Sequence, residues 1–447
     1  MDPMPVPRDF PLPLPAAESD LELAIIVLFA VHILFVNLML GGALLTLAAE
    51  LRGLARPAYD RLAQKIAATI TINKSLAVVL GVGPLLVINA LYGLHFYTAN
   101  ALTGRAWILL VPTIAGAFLL LYLHKYSWQA LADRKGLHIT IGAAGTLLLL
   151  AVPLVFLSNI NLMLFPSRWP DVAGFLSAVA LPNVLPRYLH FVLASLAVTG
   201  LFLAGWLCRR GFDFESELPG LDRCAVKREL LGVALAATAA QLVAGPLVLL
   251  TLPSHGVTWL LLGNLALAVT LAAAAAVLLW RESALEAPLG PRFWMVVVLL
   301  GGTVGLMVLG RHLYREEALA PHRALVAAHT AAFRSASLGA EMRLAAGTPR
   351  PRPGRAAASP GERVFRATCM ACHDLDARRV GPPLREIADL YAGNPSGLIA
   401  WVKAPGRKRP DYPEMPPITM QQPQYDAVAA YILDELFAVA EKSAETG

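Results

Sequence analysis

The sequence predicts an all-α protein. It comprises an eight-helix transmembrane bundle over residues 1–313, an extramembrane helix and linker over 314–357, and a small helical domain over 358–447. Three observations lead there. Hydrophobic residues make up 57% and charged residues 15% of the 447, and the mean hydropathy is +0.58, values far from those of a soluble globular chain. Apolar stretches of about 20 residues, the length that crosses hydrocarbon, recur to residue 313 and then stop. A pentapeptide, Cys369-Met370-Ala371-Cys372-His373, stands in the more polar segment that follows.

The expected spans are 22–49, 68–98, 106–131, 138–163, 187–208, 229–252, 258–280 and 292–313. Their orientation follows from Lys and Arg, which accumulate on the cytoplasmic side. The loops after the odd-numbered spans carry Arg52, Arg56, Arg61 and Lys65; Lys125, Arg134 and Lys135; Arg209, Arg210, Arg223, Lys227 and Arg228; and Arg281 and Arg292. The opposite side carries Arg8, Arg105, Arg168 and Arg187. The N-terminus and the C-terminal domain are therefore expected outside, on the periplasmic face of a bacterial inner membrane, with the first span an uncleaved targeting signal. The net charge of +6 is accounted for by loops facing anionic lipid and calls for no nucleic acid. Residues 314–347 read as an Ala-rich helix and 348–360 (TPRPRPGRAAASP) as a semi-extended linker.

The C-x-x-C-H spacing lets two thiols add to the two vinyl groups of a haem and sets the adjoining histidine under the iron. A zinc site would need a second ligand pair, and the tail has no other cysteine. Gly361–Ala367 reads as a helix entering the motif, and Tyr425–Phe437 as a closing helix. Over 358–440 the segment resembles a monohaem class I cytochrome c. That resemblance implies one covalent haem c on Cys369 and Cys372, with a carbonyl of Val380-Gly381-Pro382-Pro383-Leu384 orienting the ligand. It also implies His373 and Met415, from Glu414-Met415-Pro416-Pro417, as axial ligands, with Met420 the rival sixth ligand.

Ionisable groups within hydrocarbon are costly and mark function. His32, His95, His190 and His312 fall in the outer halves of their spans, whereas His124 and His138 fall at the cytoplasmic ends, where a snorkelling, solvated role is expected. The stretch Phe29-Ala30-Val31-His32-Ile33-Leu34-Phe35-Val36-Asn37-Leu38-Met39-Leu40-Gly41 resembles the opening helix of subunit I of cytochrome bd quinol oxidases. Pro186-Arg187-Tyr188-Leu189-His190-Phe191, with Ala194-Ser195 and Val198-Thr199-Gly200, is similar to the family stretch that ligates a low-spin haem b, and Gly310-Arg311 matches a family pair. The resemblance implies one or two b-type haems, with His32 and His190 as iron ligands. His95 or His312 is then the partner that closes a site with His190, and His32 holds a second, deeper haem.

The departures are as informative. The family's acidic positions fall at Thr113, Leu121 and near Gly301, its haem-ligating methionine falls between Leu261 and Asn264, and its quinol loop shrinks to about 253–257. Oxygen reduction by the family mechanism uses those acids. The expectation is thus a membrane electron-transfer protein, with electrons moving between quinol or a partner subunit, haem b in the bilayer and a periplasmic haem c. Two alternatives stay open: a non-catalytic membrane anchor for a cytochrome c, and a divergent oxidase that takes electrons from cytochrome c. A quinol:cytochrome c-type oxidoreductase component, a periplasmic redox partner and further respiratory subunits are compatible with the first reading.

Overall fold

The computed structural model describes residues 14–345, 359–406 and 410–436, with the side chains of 70–76, 339–345 and 435 left aside. Most of the expected linker, including 348–358, and the closing Phe437 lie outside the described residues. The chain divides into two compact units, residues 1–339 and 340–447.

Among the described residues eight long helices make up most of the first unit, the last running past its boundary: α1 Glu18–Gly53, α2 Pro57–Thr103, α3 Leu110–Tyr126, α4 Lys135–Leu164, α5 Val184–Leu207, α6 Arg223–Leu250, α7 Trp259–Ser283 and α8 Pro291–Ala345. Among the described residues seven are long and apolar enough to cross a membrane, so the chain is a multi-pass membrane protein. The expected third span differs. A separate helical turn at Arg105–Ile108 takes up its first residues, and α3 has 17, about 26 Å at 1.5 Å per residue, shorter than the hydrocarbon is thick. The last helix instead runs on past the expected end at 313, to Ala345.

Local chemistry sets the boundaries. Pro57 opens α2 at a position where its missing N–H is no loss. Asp222 caps α6 by accepting from Ala225 N at 2.7 Å, and Thr258 caps α7 by accepting from Leu261 N. Pro153 and Pro246 lie inside α4 and α6, which membrane helices tolerate because neighbouring groups satisfy the freed carbonyls. Outward positions stay apolar: Val111 is 72% and Val298 72% exposed, the lipid-facing surface such a bundle needs.

Small residues let helices close. A Cβ on Gly41 of α1 would lie 2.7 Å from the Ser195 carbonyl carbon, and one on Gly200 of α5 would lie 2.7 Å from Leu230 O of α6. With no hydrophobic drive between helices in lipid, such backbone approach and interhelical hydrogen bonds supply the association. At the crossing of α1 with α5, Ser195 Oγ donates to Asn37 Oδ1 (3.0 Å) and Thr199 Oγ1 to Asn37 O (3.1 Å).

The second unit is a small helical domain: α9 Pro360–Thr368, α10 Leu384–Leu390, α11 Pro395–Lys403 and α12 Gln422–Ala430, the last continuing as a π turn to Glu435. Ser359 caps α9 through Glu362 N at 3.1 Å. Gly361 lets α9 cross α12, since a Cβ there would meet Tyr431 Cβ at 2.5 Å. Phe365, Leu384, Tyr391, Leu398, Val428 and Ile432 form the core.

Candidate functional site

In the C-terminal domain, α9 ends into the Cys369–His373 segment, and the chain turns at once: Cys372 N and His373 N both donate to Cys369 O. That turn sets the two thiols and the imidazole at the end of one helix. His373 is 9% exposed. Its Nδ1–H donates to Pro382 O at 2.9 Å, which fixes the tautomer and leaves Nε2, bearing a lone pair, for a metal. The sequence expectation of a carbonyl in this loop that orients the ligand is met by that bond. Gly381 N donates to Cys372 O at 2.8 Å, so the loop is tied to the motif. Gly381 also has to be glycine, because a Cβ would stand 2.8 Å from His373 Nδ1.

Burial, with the neighbouring Cys372, pushes the Cys369 thiol up to about 11. Met415 stands half-buried in the extended segment before α12. Met420 instead packs on the hydrophobic core, and its backbone N–H donates to Tyr425 Oη at 3.0 Å.

In the membrane unit the two stretches singled out in the sequence pack on each other: Asn37 meets Ser195, and Ser195 and Thr199 pack close to Gly41. The two helices run the same way, since Phe35 and Val36 share a cluster with Phe191 and Val192, and Ala49 shares one with Leu203, Ala204 and Leu207. His32 precedes Asn37, and His190 precedes Ser195, by the same five residues, about 7.5 Å of rise and about 140° of rotation. The two histidines therefore sit at one depth, with their rings turned away from the α1–α5 contact. The expectation of a deeper His32 is corrected by that shared register.

Their neighbours agree. The His32 ring lies over Gly81 of α2, whose Cβ would approach Cε1 to 2.9 Å. The His190 ring lies toward α6, with Gln241 Nε2 at 3.4 Å from its Nε2 and Gly245 beneath it. In both, Nδ1 is buried without a partner. His95 is engaged elsewhere, by His322 Nδ1 at 3.0 Å and the Trp169 ring at 6.0 Å, and His312 by Arg315 at 3.3 Å. Through hydrogen bonds or ring contacts the structure brings none of these four histidines onto another.

Arg187 lies one turn from His190 on the same helix. Its guanidinium makes no hydrogen bond or ion pair among the described residues. Arg311 lies near Arg187 and Arg315 and stacks on Phe29 at 4.1 Å, likewise with no carboxylate. At two positions where the family carries acids, Thr113 bonds Leu109 O and Leu121 packs in an apolar cluster; at the edge of the stretch where its methionine falls, Asn264 Nδ2 donates to Leu306 O at 2.8 Å.

His124 and His138 correct another expectation. They are 3% and 0% exposed, against a buried Glu50 at 0%, because the ends of α1, α3 and α4 converge and cover them. Sequence reading passed over Glu50, whose one signal is a carboxylate on an apolar helix just before Arg52.

The Cytochrome c family model matches residues 358–434, so the C-terminal unit is a cytochrome c domain. A structure described as bd oxidase from Geobacillus thermodenitrificans is similar with a TM-score of 0.50 at 12% identity, over 74% of this chain and 98% of that one. That likeness is one of fold. No curated protein matches the chain.

Proposed function

We propose that this membrane electron-transfer protein carries electrons between the quinol pool or a partner subunit, a b-type haem held at His190, and a single haem c on Cys369 and Cys372 at the periplasmic face of the inner membrane. Each haem supplies a one-electron iron couple, with potential set by its axial ligands and surroundings. The chain's residues do the rest. In the cytochrome domain Pro382 O holds His373 in the ligating tautomer, and Met415 is the sixth ligand, since Met420 is taken up in the core. In the bilayer His190 offers a buried, unpartnered nitrogen, and Gly245 leaves room beside it.

The observation that carries the membrane haem is the pairing of that imidazole with two cations that have no carboxylate. Buried or half-buried arginines without counter-charges are expensive in a low-dielectric bundle. The two propionate carboxylates of a haem would neutralise Arg187, one turn from His190, and Arg311 near it. His32, with its own orphaned nitrogen on the α2 side, offers a second, separate place at equal depth. His95 and His312, each with a partner of its own, would have to leave it to complete the His190 site. Absence of acids at Thr113, Leu121 and Gly301 favours electron transfer over oxygen reduction.

The test is a pyridine haemochrome spectrum of the purified full-length protein, which counts haem c and haem b separately. Wild type should show one haem c and at least one haem b. His190→Ala should lose a haem b and the quinol-driven reduction of haem c, whereas the exposed-histidine variant His329→Ala should keep both. Wild type containing haem c alone would leave the membrane unit as an anchor.

A further inference from the structure

At the end of the bundle away from His190, three ligand-bearing side chains converge that the electron path does not use. Glu50 lies near the end of α1, His124 near the end of α3 and His138 near the start of α4. They are 0%, 3% and 0% exposed. His124 Nε2 stands 2.7 Å from Glu50 Oε2, and His138 Nδ1 pairs with Glu50 Oε1. One donor atom from each lies within 4.8 Å of the others.

The hydrogen bonds constrain what occupies the centre. His138 Nε2 is 2.7 Å from His124 O. A carbonyl oxygen only accepts, so Nε2 carries the hydrogen. In a neutral imidazole Nδ1 is then a bare lone pair, and it faces a carboxylate, which also only accepts when ionised. A positive centre has to lie between them, either a proton or a metal ion. A ligating histidine whose other N–H donates to a backbone carbonyl is the usual outer arrangement of a metal site.

A second observation lies beside His124. A small cavity of about 20 Å³, lined in part by Thr46, His124, Gly142 and Thr146, has room for one water. Thr46 Oγ1 is buried there with no partner. Gly142 keeps the space next to the ring open, since a Cβ would fall 2.7 Å from His124 Nε2. Three protein donors and an adjoining water place make a four-coordinate set.

We propose that Glu50, His124 and His138 bind one divalent first-row transition ion, with a water from the Thr46 cavity as fourth ligand. Two imidazoles and a carboxylate suit zinc, iron(II) or manganese(II) better than the all-oxygen ions calcium and magnesium, and the lack of thiolate disfavours copper(I). Lys135 does not block the site. Its Nζ lies 2.9 Å from Glu50 Oε1 but 2.5 Å from Asp60 Oδ1, so it stays paired with Asp60 when Glu50 turns to the ion. Bound there, the ion ties together the ends of three helices.

The experiment uses full-length, haem-loaded protein in detergent, stripped with a chelator, reloaded with zinc or manganese alone and counted by elemental analysis. Wild type should take up one equivalent beyond its haem iron and melt at a higher temperature when loaded. Glu50→Gln and His138→Gln should lose that equivalent with haem c content unchanged. Thr46→Val keeps all three ligands and covers the case in which the buried variants fail to fold: it should bind with measurably weaker affinity. Wild type that takes up neither metal leaves a proton as the bridging charge and overturns the proposal. Undiminished uptake in folded Glu50→Gln and His138→Gln places the metal elsewhere and overturns it too.

Discussion

Adding one methyl group at Gly381 should disable the haem c site while leaving every ligand residue in place. The Cβ of Gly381→Ala would stand 2.8 Å from His373 Nδ1, and ordinary contact begins at 3.4 Å, so the ring must retreat by at least 0.6 Å. Moved away from the loop, the 2.9 Å bond from His373 Nδ1 to Pro382 O lengthens to about 3.5 Å, past the useful range. The lost bond costs about 1 kcal/mol, and overpacking adds about 1–3 kcal/mol. A total of about 3 kcal/mol in a domain of this size lowers its melting temperature by roughly 12–24 °C. Pro382→Ala is the comparison, because it keeps the backbone carbonyl and should shift the melt far less. The assay is thermal loss of the Soret band and a redox titration of full-length protein. A Gly381→Ala protein with wild-type haem content, melting curve and potential would refute the orientation of His373 by Pro382 O.

Met415→Ala should remove the sixth ligand, lowering the haem c potential and abolishing the methionine-to-iron absorption band. Met420→Ala, at a partly buried position, should retain the band and lose about 2 kcal/mol of stability, the low end for such a truncation, read from the same melt; the opposite pattern would assign Met420 to the iron. Gly41→Val should prevent the α1–α5 crossing, because its Cβ would meet backbone atoms of Ser195, which cannot turn aside, as well as the Thr199 hydroxyl. Membrane accumulation of the protein should fall sharply on an immunoblot, and normal levels with normal haem content would show that the crossing tolerates the added volume.

Two kinds of feature were legible before the fold was known. Those written in covalent spacing survive intact: Cys369, Cys372 and His373 lie within one turn, and Gly381-Pro382 lies close enough in sequence to reach back under the imidazole. Those written in hydropathy survive nearly so, because crossing hydrocarbon demands length and apolarity that a window of residues displays. The exception is the expected third span, whose first residues lie in a separate turn at Arg105–Ile108 that hydropathy does not distinguish from the helix after it.

What tertiary structure decided is direction and company. Sequence placed His32 deeper than His190 by counting from each helix start, but depth in a bundle is set by where helices touch, and the Asn37–Ser195 contact levels the two. Sequence left His124 and His138 in solvent because each lies at a helix end. Glu50 stands 74 residues before His124 and 88 before His138, and no local pattern announces a carboxylate that arrives from another helix. The apolar code says which segments enter the membrane. Which polar side chains meet there depends on helix rotation and close approach at glycines, and these are settled only when the whole bundle packs.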